Sequence, residues 1–499
     1  MKSLLKTSFL WTVLGVYGLF FLLTLYHRFI QIDENWFGEQ AYWLAHEGVV
    51  RLKSMPGILG FENQMFLYHK LLVWMGAVLV TLTGWSVFPF KFITLACYLG
   101  FFIVFYRFRK ENNHSISQQE WLLAVTLLVM IPIMLQQSFT FRPEVFVMTL
   151  GFVSFFFLDR YLRMNRKRDV IPAGIFSGLA FLMTLNGLIF PVAGAVMLLI
   201  YRKYRAFLLF SAAAGLISAF FLIDMLQAGR WEIFLYQLNH WPTRKFGENY
   251  LASGMGSFVL NKLLNLASEH QRFFWSDRVM AFSALFWLAY IFNFKYLWRN
   301  YKAILIYTTL LILLLNLTGS HIAERYLVFY YPFMALITAI GILRTEGRAI
   351  KYLKYAYILL LILNIVSLAK QFQFVFRENE DAATIHHEII GRIPEQHPCV
   401  FAPWKFIFNE IDNCRVISYQ ALQYYQDDIP EKLSQDAVLS LLEGTYGVGY
   451  LILDADIRRD ETHAYDWFRK DTVSAGRLEL LFDYGQYRVF RLVKNPRLT

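Results

Sequence analysis

Two adjacent carboxylates, Asp33 and Glu34, follow directly on the first apolar run of the chain, in the stretch QIDENWFGEQAYWLAHEG. Charges at the end of a membrane segment are costly unless they face water or one another, so this position marks a candidate site. A carboxylate there can take the proton of an attacking hydroxyl. A like-charged neighbour raises the proton affinity of the pair unless a cation offsets it. Further candidates recur at other junctions between apolar runs: Arg142 and Glu144 in SFTFRPE, His69 and Lys70 in FLYHKLL, His321 and Arg325 in GSHIAERY. Arginine offers a rigid planar fork to carboxylate or phosphate, so Arg142 is expected to offset the acids or to hold Glu144. Pro143 and Glu144 also read as the first turn of a helix, where a negative charge is favoured. Glu324 is expected to pair with its neighbour Arg325, and Lys70 has the alternative of snorkelling to the headgroups.

The elements that must position these groups are apolar runs. Of 499 residues, 57% are hydrophobic and 17% charged, a composition far from that of water-soluble domains. Runs fall near 9–27, 66–84, 88–106, 121–137, 145–159, 171–184, 187–201, 207–227, 279–297, 303–319, 326–343 and 355–372, which makes the chain a polytopic membrane protein. The first run lacks a small-residue cleavage site and reads as an uncleaved anchor. If all runs crossed, Arg107–Lys110 and Arg160–Arg168 would lie outside, against the positive-inside rule. Laying 66–84 in the interface removes the conflict and leaves about eleven transmembrane helices. The N-terminus is then cytoplasmic. The first outer loop spans about 28–87, the long outer loop about 228–278, and all the candidate residues share the outer face. The runs at 171–184 and 187–201 form a hairpin turning at Asn186-Gly187.

Residues 373–499 alternate polar and apolar stretches and are expected to form a soluble extracytoplasmic α/β domain, set apart from the membrane domain of residues 1–372. CVFAP, GYLILDA and RLELLFDYGQYRVFRLV read as strands, the last as a hairpin turned at Tyr484-Gly485, with helices near 380–392 and 431–443. Cys97 reads as packing, whereas Cys399 and Cys414 are free to pair if the tail lies outside the cytoplasm. The formal charge of +11 comes from short clusters between apolar runs, so nucleic acid is not an expected partner. No phosphate-binding glycine loop or zinc spacing occurs. Oxygen ligands at Asp33, Glu34 and Glu144 leave a divalent cation open, but no spacing demands one and no required cofactor is expected.

The acidic pair within DENWFGEQAYWLAHEG resembles the signature of the C-type integral-membrane glycosyltransferases, in the bacterial branch around aminoarabinose transferase and related to protein O-mannosyltransferases. FRPEVFVMTLGFVSFFFLDR, GIFSGLAFLMTLNGLIFP and ERYLVFYYPFMALITAIGIL resemble further stretches of that family, in order over residues 1–345. The Lys-Pro-Pro of many relatives is replaced here by YHKLL, and Glu144 stands where some relatives have aspartate. The resemblance implies an inverting transfer of a sugar from a polyprenyl-phosphate donor to an acceptor hydroxyl on a glycan, lipid or protein, at the extracytoplasmic face of a bacterial inner membrane, with membrane lipids as partners. On that reading Asp33 is the base, with Glu34 beside it in catalysis or binding a loop group. Arg142 and Glu144 shape the substrate site, and Arg325 grips the leaving phosphate with His321, His69 and Lys70. The segments NHWPTRKFGENY and EHQRFFWSDR suit stacking on sugars or meeting lipid phosphates, and equally suit ordinary interfacial belts. A transporter or flippase for lipid-linked saccharides, or a polymerase or ligase acting on them, is the alternative. Fold alone does not name the sugar.

Overall fold

The computed structural model describes residues 6–28, 30–112, 116–227, 229–241, 266–318, 323–344, 350–377, 381–427, 433–455, 457 and 477–493. In chain order the helices are α1 (Thr7–Thr24), α2 (Ile32–Glu47), α3 (Lys70–Thr83), α4 (Val87–Glu111), α5 (Gln118–Val129), α6 (Pro132–Gln137), α7 (Pro143–Met164), α8 (Val170–Met183), α9 (Ile189–Ile200), α10 (Tyr204–Ser218) and α11 (Arg230–Asn239), all but α2 and α11 arising from apolar runs. Later helices run over Met280–Phe292, Lys302–Thr318, Tyr331–Arg344 and Ile350–Arg377.

Among the described residues, six helices are long and apolar enough to cross a membrane, or seven if the pair Met280–Phe292 and Phe294–Asn300, bent by 75°, counts as one. The expected eleven came from apolar runs that fold as shorter pieces. The run at 121–137 breaks before Pro132, which lacks an N–H to extend α5 and instead starts α6. α3 has 14 residues, about 21 Å of helix, short of the roughly 30 Å hydrocarbon core. α8 and α9 form the expected hairpin through the 3₁₀ turn Leu185–Leu188. There a Cβ on Gly187 would stand 2.0 Å from the carbonyl oxygen of Ala180, so only glycine lets the two limbs close.

The spans differ in how deeply they are enclosed. α1 is 17% buried, whereas α7 is 67% and the Glu324–Arg344 segment 89% buried. The two most enclosed spans are therefore the ones whose first turns carry Glu144 and the Glu324-Arg325 pair. α2, placed by sequence in a loop, is a 16-residue helix, and it packs on α3. Gly76 of α3 makes that approach close, since a Cβ there would lie 2.7 Å from the Cβ of Ala41.

The C-terminal part carries a five-stranded sheet of order β2-β1-β3-β5-β4, from β1 (Cys399–Ala402), β2 (Arg415–Ser418), β3 (Tyr450–Leu453), β4 (Leu478–Tyr484) and β5 (Tyr487–Leu492). β1 pairs in parallel with β2 and β3, while β5 runs antiparallel to β3 and β4. The β4–β5 turn uses Gly485 at φ +57°, a left-handed conformation that costs glycine little. β2 was not foreseen: RVIS is four residues long, too short for alternation to show. Cys399 and Cys414 are free thiols, each near a backbone carbonyl, of Tyr446 and Glu410 respectively. The open expectation of a disulfide between them is not met.

Candidate active site

The two acids of the opening motif have opposite fates. Both lie in the first turn of α2, where Gln31 caps the helix and its side chain accepts from the backbone N–H of Glu34. Glu34 turns inward and is fully buried. Its Oε2 accepts from Gln31 N at 2.9 Å and from Lys91 Nζ of α4 at 2.9 Å, and its Oε1 from Phe141 N at 2.9 Å. With both oxygens engaged by fixed donors, Glu34 ties α2, α4 and the start of α7 together. That geometry corrects the expectation of a direct catalytic part for Glu34. Asp33 turns the other way, is 40% exposed, and pairs with Nη1 of Arg142.

Arg142 is the hub. Lying at the N-cap of α7, it forks onto Glu144 with Nε at 3.1 Å and Nη2 at 2.9 Å while Nη1 meets Asp33. It thus meets both carboxylates named with it. Glu144 is buried in the first turn of α7, where the helix N-terminus favours an anion, and Arg325 approaches it at 3.5 Å. Glu324 does not pair with Arg325, as expected, but with Arg278, whose Nη1 also donates to Gln136 Oε1 at 2.9 Å. The two neighbours point apart because they begin a 3₁₀ turn, Glu324–Tyr330, rather than sharing a strand or helix face.

These arginines surround a hollow of about 390 Å³ whose wall includes Arg142, Arg272, Arg278, Arg325, Gln31 and Gln137. Arg272 is buried, with Nε 2.7 Å from Glu269 Oε1 and Nη1 donating to Ala323 O at 3.3 Å. Each arginine is steadied by a carboxylate, and a guanidinium carries five N–H groups, more than these contacts consume. A dense set of oriented, pre-paired guanidinium groups around an open space is suited to an anion with several acceptor oxygens. Arg272 and Arg278 were not singled out by sequence, although the segment EHQRFFWSDR that holds them was marked for sugar stacking, lipid phosphate or an interfacial belt. Lys91 was missed too; its signal was a lone lysine inside an apolar run, which demands a buried partner.

The remaining candidates divide. His69 caps α3 at a ring-centroid distance of 5.0 Å from Phe37, and burial pushes its imidazole down to about 4, with Glu144 pulling the other way and Arg325 reinforcing the fall. Burial thus favours the uncharged imidazole at this position. Lys70 is sealed: its ammonium lies 2.6 Å from Asp224 Oδ2, 3.2 Å from Phe66 O and 3.7 Å from the centre of the Tyr68 ring, with no exposed surface. The expectation that Lys70 grips a phosphate is corrected on that ground. His321 lies outside the described residues. Among the described residues no group of three or more His, Cys, Asp or Glu is placed to hold a metal ion, so Asp33, Glu34 and Glu144 do not converge as a ligand set.

No family model matches the chain, and no curated protein matches its sequence. Solved structures do match. The crystal structure of apo ArnT, an aminoarabinose transferase, from Cupriavidus metallidurans aligns over 98% of this chain and 98% of its own, with a TM-score of 0.57 at 12% identity. The fold is that of a C-type membrane glycosyltransferase. The apo oligosaccharyltransferase of Archaeoglobus fulgidus covers 91% of this chain and 70% of its own at a TM-score of 0.48 and 11% identity. AglB from the same organism, in complex with an inhibitory peptide and a dolichol-phosphate, covers 89% and 69% at a TM-score of 0.45 and 13% identity. At 12% identity the likeness to ArnT is one of fold, and at 98% coverage it takes in both the helical part and the C-terminal sheet.

Proposed function

We propose that the protein transfers a sugar from a polyprenyl-phosphate donor to an acceptor hydroxyl, at the extracytoplasmic end of its membrane helices. The observation that carries this reading is the juxtaposition of one half-exposed carboxylate, Asp33, with an arginine-walled hollow through their shared contact, Arg142. The ArnT-like fold and the motif resemblance support it. On this reading residues 1–372 form the membrane domain of a bacterial inner-membrane enzyme. Residues 373–499 form an extracytoplasmic unit.

The chemistry follows from the residues. The acceptor oxygen attacks the anomeric carbon and the bond from that carbon to the phosphate oxygen breaks, its electron pair leaving with the phosphate. The acceptor proton passes to Asp33, and the anomeric configuration inverts. A hydroxyl becomes acidic only as its new bond forms, so the Asp33 carboxylate paired with Arg142 takes the proton late. A phosphate is a good leaving group, so no strong general acid is needed, unlike the two-carboxylate arrangement of glycoside hydrolysis. Arg272, Arg278 and Arg325 hold the phosphate oxygens as charge accumulates on them, where oriented donors act most strongly. Glu34 and Lys91 fix the first turn of α2, and Glu144 holds the arginine fork.

The test is sugar transfer in membranes supplied with polyprenyl-phosphate sugars, followed by mass analysis of glycans and lipid carriers. Asp33→Asn is expected to reach the membrane in wild-type amount and to lose transfer by about 10²–10⁴-fold, the usual worth of a general base. Unchanged turnover removes Asp33 from the base role.

A further inference from the structure

The C-terminal unit grips α2 by its middle, and we propose that this grip is how the unit serves the reaction: residues 404–418 position the helix whose first turn carries Asp33. The inference rests on the function proposed above and adds to it a role for a part of the chain with no described residue lining the hollow.

Two contacts make the grip, one apolar and one polar. On the apolar side, Phe408 of the short helix Phe406–Glu410 presents the tip of its ring to the backbone of α2 at Gly38. A Cβ on residue 38 would fall 2.3 Å from Phe408 Cζ, so only glycine admits the ring. Phe408 is held from behind by Trp85, stacked at 4.7 Å with planes 8° apart, and meets Phe90 edge-on at 5.6 Å. On the polar side, Ser54 acts as a pin between the two parts. Its N–H donates to Glu39 Oε1 of α2 at 3.0 Å and its hydroxyl donates to the same carboxylate. From the C-terminal unit it accepts Trp404 Nε1 on its hydroxyl at 3.1 Å and Ser418 N on its carbonyl at 2.9 Å. Tyr42 adds a hydrogen bond to Asp412, and Trp36 meets Trp404 edge-on at 5.1 Å.

All of these contacts fall on residues 36–42 of α2. Gly38 is five residues from Asp33, about 7.5 Å along the helix axis. The helix start is already tied by Glu34 to Lys91 and to Phe141 N. A rigid helix fixed at its first turn and again at its middle has no freedom to tilt or slide, so the grip sets where the Asp33 carboxylate stands. Such placement matters because displacements of about 1 Å cost roughly 10²-fold in rate. Two polar groups of the C-terminal unit are used internally: His386 stacks on Phe406 at 3.7 Å and meets Asn409 at 2.8 Å, and Lys405 pairs with Asp454 at 3.2 Å.

The experiment is a size swap in the full chain, using Gly38→Ala, Phe408→Leu and the double variant. Gly38→Ala pushes Phe408 away, although alanine by itself is the better helix former. It is expected to lower kcat by about 10–100-fold with the KM for the polyprenyl-phosphate donor nearly unchanged. The double variant, with room for the new methyl, is expected to recover to within a few-fold of wild type. Hydrogen exchange of the amides of residues 33–38 is read in parallel, expected faster in Gly38→Ala and restored in the double variant. Phe408→Leu alone serves if Gly38→Ala does not fold. Its expected signature is a smaller fall in kcat with the same unchanged KM. If the variants lose only folded yield while kcat per folded molecule and amide exchange stay at wild-type values, the inference is overturned. If wild-type protein transfers no sugar, the functional reading has failed, and the exchange pattern still decides whether the grip orders α2.

Discussion

Lys70 and Arg142 are both enclosed cations beside a carboxylate, and they end in different states. The Lys70 ammonium is consumed by Asp224, a backbone carbonyl and the Tyr68 ring, with no open space in front of it. Arg142 spends its nitrogens on Asp33 and Glu144 but lines a hollow shared with three more arginines. The first region is finished and the second is unfinished. What separates a structural cation from one that can meet a ligand is what remains after the protein's own contacts are made, and neither charge nor nearness to a helix end reveals that.

The comparison can be broken at its strongest point by Arg142→Gln. Losing the fork frees Asp33 and leaves Glu144 to Arg325 alone, so kcat is expected to fall by about 10²–10³-fold, the scale for removing one oriented donor from a charged site. Steady-state kinetics on folded protein reads this. A loss below tenfold would mean that Arg142 is no more than a second Lys70.

The closed region is sharpened by Lys70→Met. Removing one partner of an enclosed pair costs on the order of 3–5 kcal/mol. Thermal or denaturant stability in detergent should drop accordingly and largely return in Lys70→Met/Asp224→Leu. The donor KM per folded molecule should stay within about twofold. A stable Lys70→Met variant with a much weakened donor KM would move Lys70 from the structural to the binding side.

The smallest effect concerns His69. Its folded pKa of about 4 lies below the ordinary 6.5, so between those values the unfolded chain binds a proton that the folded chain refuses. The His69 contribution is therefore complete above pH 6.5 and is lost as the pH falls toward 4. His69→Gln should flatten that part of the stability profile. An unaltered profile would place the titration elsewhere.

Features that depend on neighbours in sequence were legible. The apolar runs, the Arg142-Pro143-Glu144 helix start, the α8–α9 hairpin and the β4–β5 turn follow from local periodicity and from Pro and Gly chemistry. The division of labour between Asp33 and Glu34 was not, because it is decided by Lys91, Phe141 and Arg142, which are remote along the chain. The same holds for Glu324, whose partner Arg278 lies 46 residues away, while its own neighbour turns to Glu144. Arg272 and Arg278 sit in an aromatic-basic segment whose composition left sugar stacking, lipid phosphate and an interfacial belt open, and only the hollow singles them out. Gly38 falls in a stretch read from sequence as loop, and only the approach of Phe408 shows why a glycine stands there.

The central claim is that the hollow receives a lipid-linked phosphate independently of the carboxylate that does the chemistry. Binding of a short-chain polyprenyl phosphate to purified protein measures this directly. Wild type and Asp33→Asn are expected to bind alike. Arg278→Gln and Arg325→Gln, each missing a charge-assisted hydrogen bond worth about 1.5–3 kcal/mol, are expected to bind roughly 10–100-fold more weakly. Undiminished binding by both arginine variants would contradict the account.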